Sequence, residues 1–184
     1  MQRNFSLKSL QHCLFCAIIM RSMTKTSNEV SPERLDAKDR ALLRLLQDDA
    51  RISNADLAAR IHLSPSATLR RVKALEESGM ITGSGVALDE KQAGFPGTAF
   101  VFVTLDEQKR GALDAFEIAI KPVVEVLECW LLAGQADYLL RVIFRDTTDL
   151  ERIHTEIVTQ LPHVVRVHST LTLRAIKRTT RLPM

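Results

Sequence analysis

Cysteine is scarce in this sequence, and the three present, Cys13, Cys16 and Cys129, fall at no spacing that builds a disulfide framework. An odd count without framework spacing suits a reducing compartment, so the expected location is the cytoplasm. Cys13-x-x-Cys16, with His12 beside it, matches a metal or redox spacing. No second ligand pair follows, so neither a metal nor a cofactor is expected. The apolar run Leu14 to Met20 is far too short to span a bilayer and ends at Arg21 without a small-residue cleavage site, which argues against export. No Gly-rich loop that could cradle phosphates appears. His62, His154, His163 and His168 pair with neither a nucleophile nor a metal cluster, so no catalytic residue stands out and an enzyme is not expected. A surplus of one charge sign is also missing: the formal net charge is +3 and the pI is near 8.9. Any affinity for nucleic acid must therefore come from local basic patches and from pairing of subunits.

What is present is ordinary for a globular protein, 46% hydrophobic and 26% charged over 184 residues, enough for two small domains. Residues 1–34 read as a leader, either mobile or an overextended start, with Met20 and Met23 as internal alternatives. From 35 to 83 the pattern is helical. Asp36 can cap a helix running from Ala37 to about Asp49, with Leu42, Leu43, Leu45 and Leu46 on its apolar face. Ser53 caps a second helix carrying Leu57, Ala58 and Ile61. Ser64, followed by Pro65, caps a third after a turn so short that the pair reads as a helix-turn-helix. At about 100° per residue, Leu69, Val72 and Leu75 share the inward side with Thr68 at its edge. Ser66, Ala67, Arg70 and Ala74 face outward, flanked by Arg71 and Lys73. Small residues near the helix start permit close approach to base edges, and the cations reach bases or phosphates. The expected DNA contacts are Ser53, Asn54, Ser64, Ser66, Ala67, Arg70, Arg71 and Lys73. Solvated arginines on an amphipathic helix are also common in proteins that never meet DNA, so periodicity alone leaves both readings open.

Ser78-Gly79 ends the helical pattern, and an extended segment through Val86 and Leu88 reads as a wing or connector, with residues 84–97 as linker and hinge. Residues 98–184 change texture. Thr98–Leu105 is strand-like, Gly111–Ile120 helical, Val123–Ala133 extended, Tyr138–Phe144 a strand, Thr148–Leu161 helical, and Val164–Leu173 a final strand. The order βαββαβ predicts a ferredoxin-like domain and an α+β protein. An antiparallel sheet with both helices on one face leaves the other to be covered, and its apolar content suggests a second subunit.

Residues 35–183 resemble the Lrp/AsnC, or feast/famine, family of transcriptional regulators. The resemblance rests on LDAKDRALLRLLQDDARIS, LAARIHLSPSATLRRVKALEESGMI, AGQADYLLRV and the basic tail AIKRTTRLP. It implies a winged helix-turn-helix followed by a RAM/ACT-like domain, a homodimer assembling to tetramer or octamer, and a small effector, commonly an amino acid, bound between dimers. The family's Gly-x-x-Asp-Tyr turn falls on Gly134, Asp137 and Tyr138, and the strand facing that site falls on Thr170, Leu171 and Thr172. The same turn residues also serve as plain turn formers and Tyr138 as a sheet residue. Cys129 and Trp130, just before the turn, are expected to pack inside. The main functional expectation is an effector-responsive regulator of transcription. The alternative is an architectural, nucleoid-type DNA-binding protein that ignores metabolites.

Overall fold

The computed structural model describes residues 35–184, so the Cys13–Cys16 pair and the apolar leader lie outside the described residues. The described chain divides into two compact units, residues 35–87 joined by 177–184, and residues 88–176.

The first unit holds α1 (Ala37–Asp48), α2 (Asn54–Ile61) and α3 (Pro65–Glu77). Each starts on the expected cap. Asp36 accepts from the Asp39 amide at 2.7 Å, and Asp39 accepts in return from the Asp36 amide at 3.3 Å. Ser53 accepts from the Asp56 amide at 3.1 Å, and Ser64 from that of Ala67 at 3.2 Å, with Pro65 where no helical hydrogen bond is lost. Leu42 packs with Leu57 and Ile61, while Leu35, Leu43 and Leu75 form a second cluster. His62 ends α2 in the left-handed region at φ 55, where its amide reaches the carbonyls of Ala58 and Ala59. That conformation tightens the turn at a steric cost of about 1 kcal/mol for a residue with a Cβ.

The rotation of α3 differs from the expected one. Thr68 is fully buried, its Oγ1 donating to the Ser64 carbonyl at 3.0 Å, and Leu75 is buried beneath it. Leu69 lies outward at 47% exposure. A hydroxyl satisfied within its own helix is cheap to bury, so Thr68, Val72 and Leu75 define the inward stripe and Leu69 falls about 100° from its centre.

Residues 82–89 form no strand, and Val86 and Leu88 stand exposed, so the connector makes no ladder among the described residues. The C-terminal eight residues, 177–184, part from the sheet domain and join the helical unit. Gln47 accepts from the Leu182 amide at 2.6 Å, Arg181 pairs with Asp48 at 2.6 Å, and Met184 packs against the Leu35, Leu43 and Leu75 cluster.

The second unit runs β1 (Gly97–Leu105), α4 (Arg110–Ile120), β2 (Val126–Leu131), β3 (Tyr138–Phe144), α5 (Thr147–Arg152) and β4 (Val164–Leu171). α5 continues through a π turn, Ile153–Ile157, and a 3-10 turn, Val158–Gln160, where one uninterrupted helix was expected. The 4-stranded sheet has the order β2-β3-β1-β4 with antiparallel neighbours, the ferredoxin-like arrangement. Alternate residues of β1, namely Ala99, Val101, Val103 and Leu105, pack with Leu140 and Val142 beneath Phe116 and Ile120 of α4 and Ile153 and Val158 of the second helical segment. Both helical segments therefore cover one face. The opposite face presents Phe100, Phe102, Leu139 and the ion triad Glu90–Arg141–Glu128, with Arg141 at 3.0 and 2.8 Å from its two carboxylates.

Candidate functional site

Two regions collect the residues singled out above. On α3, Ser66, Arg70 and Lys73 are exposed, Ala67 is half-buried, and neither cation forms an ion pair among the described residues. Ser66, Arg70 and Lys73, together with Leu69, Ala74 and Glu77, line an open concavity along the outer side of the helix. Residues at positions i, i+4 and i+7 make one continuous stripe, so both cations reach away from the protein.

The remaining residues expected at this surface have partners within the unit. Arg71 Nη1 lies 2.7 Å from Asp36 and 2.7 Å from Asp39, tying α3 to the start of α1. Hydrogen bonds to those two carboxylates raise the guanidinium pKa further above its ordinary value. The Asp36 pKa is lowered chiefly by the Asp39 amide; desolvation opposes that shift, and the hydrogen bond and charge of Arg71 add to it. Asn54 Nδ2 donates to the Pro65 carbonyl at 2.9 Å and so pins the start of α2 to the start of α3. Ser53 and Ser64 serve as caps, and the Ser64 hydroxyl lies 3.2 Å from that of Ser66. These contacts tie the three helices together; Ser66, Arg70 and Lys73 remain exposed.

The second region is the turn before β3. Asp137 is buried at 5% exposure, Oδ2 accepting from the Leu105 amide at 2.7 Å and Oδ1 from Gln108 Nε2 at 2.6 Å. The Asp137 amide and carbonyl close the turn against Val103 and Leu132. Tyr138 is buried against Phe116, with ring centroids 4.3 Å apart, and its hydroxyl donates to Glu117 at 2.9 Å. Burial and that carboxylate both push the phenol pKa far up. Gly134, Thr170, Leu171 and Thr172 are exposed, and Thr172 is anchored by its amide and hydroxyl to the Thr98 carbonyl.

One chain does not bring these two groups together. Tyr138 is opposite Val103 on β1, whereas Leu171 is opposite Ala99, and β1 lies between their strands. Four residues along a strand span about 14 Å, and two strand spacings add a lateral offset of about 10 Å.

Cys129 and Trp130, expected inside, lie at the β2 edge, with Trp130 at 42% exposure. Desolvation, followed by the charge of Glu117, pushes the Cys129 thiol up to about 11. Gln108 and Glu117 were not singled out from the sequence, and Leu69 was expected on the inward side. Gln108 and Glu117 act across the fold at residues with no local pattern to mark them; Leu69 was misplaced by one helical step. Among the described residues no His, Cys, Asp and Glu cluster could hold a metal ion, and no helix is long and apolar enough to cross a membrane.

Comparison with known proteins agrees with this two-part anatomy. Residues 35–82 match the model of a winged helix-turn-helix DNA-binding domain, and residues 98–182 match the Lrp/AsnC ligand binding domain. A DNA-reading helical unit followed by a ligand-binding ferredoxin-like domain defines a transcriptional regulator. The chain is 35% identical to the transcriptional regulator AzlB of Bacillus subtilis over 150 residues, 82% of this chain and 96% of that one. It superposes with a TM-score of 0.76 at 32% identity on a transcriptional regulator of Neisseria meningitidis crystallised with L-methionine, covering 81% of this chain and 96% of that one. An AsnC family regulator from Agrobacterium tumefaciens gives the same TM-score, 0.76, at 31% identity, covering 81% and 97%. The chain belongs to the Lrp/AsnC family of transcriptional regulators.

Proposed function

We propose that this regulator binds operator DNA through the outer stripe of α3 and changes that binding in response to an amino acid held by its sheet domain. It acts in the cytoplasm without catalysis, as a homodimer joined through the open sheet face and assembled further into tetramers or octamers. The observation that carries the reading is the contrast on α3 between Arg71, locked to Asp36 and Asp39, and Arg70 and Lys73, exposed without ion pairs among the described residues. In the proposed contact set, Ser66, Ala67 and Arg70 approach bases and Lys73 a phosphate. Ser53, Asn54, Ser64 and Arg71 hold the reader in position.

For the effector, the separation of Tyr138 from Leu171 within one chain supports a site shared between subunits. The Gly134 turn of one subunit then faces Thr170, Leu171 and Thr172 of another, while Asp137 and Tyr138 hold the turn from behind. A ligand held this way couples to DNA only if it binds one assembly better than the others.

The test is a thermal-shift panel of the amino acids, followed by DNA titration with and without any that stabilises the protein. A stabilising amino acid that also changes DNA affinity or spacing meets the expectation. The architectural alternative draws on the inward commitment of both Asp137 oxygens. It predicts steep salt dependence, little sequence preference and no amino-acid effect.

A further inference from the structure

The outward position of Leu69 gives the α3 stripe an apolar member among its polar ones. Leu69 is the fifth residue of α3, in the N-terminal half of the helix, the part that enters a major groove. It shares its concavity with Ser66, Arg70 and Lys73, and nearly half of its surface is open. The rotation is set by groups other than Leu69: Thr68 is fully buried, and Arg71, partly exposed on the other flank, is clamped by two aspartates. An exposed leucine alone means little. Here it is flanked by two cations without ion pairs among the described residues, and a polyanion drawn to them would press its base edges against the leucine.

The major groove offers one apolar group, the C5-methyl of thymine. We propose that Leu69 is a specificity-determining residue that reads a thymine methyl, beside the polar and cationic contacts of Ser66, Arg70 and Lys73. The inference rests on the DNA-reading function of α3 proposed above. Burying one methyl against a leucine in place of water corresponds to about a fourfold gain in affinity.

The experiment first selects tight sites for the full chain from randomised duplexes. Each thymine of the selected site is then replaced in turn by deoxyuridine, which keeps the hydrogen-bonding edge and lacks only the methyl. The expected result is a loss of about fourfold at one thymine position in each half-site for the unaltered protein. Leu69→Ala should bind the thymine and deoxyuridine sites equally, Leu69→Met should retain the discrimination, and the salt slope should be the same for all three. Circular dichroism melts check that the substitutions leave the fold intact, as expected for a side chain outside the core. Indifference of the unaltered protein to deoxyuridine at every position overturns the proposal, as does discrimination that survives in Leu69→Ala. Sequence selection with either of those results removes Leu69 but leaves α3 as the reader. Failure to select any sequence removes both.

Discussion

Arg70 and Arg71 are neighbours in sequence with different surroundings, and the difference decides what their loss should do. Arg71 joins two carboxylates at 2.7 Å, whereas Arg70 projects from the outer stripe. Arg71→Ala should therefore lower the stability of the helical unit by up to about 1 kcal/mol, since the network is partly exposed, while leaving the salt slope of DNA binding unchanged. Arg70→Ala should alter base preference with little effect on melting, and Lys73→Ala should weaken all duplexes alike and reduce the salt slope by about one. Anisotropy titrations across salt and site variants, paired with melts, check all three; a shallower slope for Arg71→Ala would place that guanidinium on phosphate instead. Asp137 is likewise committed to partners inside the fold. Because its carboxylate satisfies the buried Leu105 amide, Asp137→Ala should cost about 1–3 kcal/mol in urea unfolding before any ligand is considered. Asp137→Asn keeps an acceptor and should recover much of that loss. A variant that unfolds like the original protein would show the two bonds to be dispensable and return Asp137 to direct ligand contact.

At the scale of elements, the first helix carries a pH dependence. Asp36 caps α1 and has a folded pKa below its ordinary 3.8, so its contribution is complete above that value and is lost as pH falls through the folded one. Melting of the helical unit should thus fall on acidification below about pH 4. Asp36→Asn preserves the cap without titrating and should flatten that part of the profile. An unchanged profile would assign the acid sensitivity to other carboxylates.

Much of this level was legible in the chain. Asp36, Ser53 and Ser64 marked helix starts because capping is a local bond between residues three apart. The alternating apolar residues of Thr98–Leu105 marked a strand because burial on one sheet face repeats every second residue. The α3 rotation was not legible, since Thr68 and Leu69 differ by one step and packing between helices, with the Thr68 hydroxyl satisfied by the Ser64 carbonyl, decides which is buried. The inward turn of Asp137 depends on Leu105 and Gln108, which approach it only after β1 and β3 pair.

For the whole molecule, the chain passes from the helical unit to the sheet domain through residues 82–96 and returns from β4 to the helical unit at residue 177. That return was invisible in the sequence because residues 177–184 carry no periodicity, and their partners, Gln47, Asp48 and the Leu35, Leu43 and Leu75 cluster, lie more than a hundred residues earlier. Two covalent connections follow: β1 receives the linker, and adjacent β4, which ends in Leu171, leads into the tail. Shortening the chain after Thr180 removes the Arg181 pair, the Gln47 bonds and the Met184 contact together. The cost should be about 1–2 kcal/mol, mostly from the apolar contact, and confined to the helical unit because the sheet core contains no tail residue. Hydrogen exchange resolves the two units: faster exchange in α1 with unchanged protection in β1 and β3 is the expected outcome. Equal protection of α1 with and without residues 181–184 would show that the tail adds nothing to the stability of the helical unit.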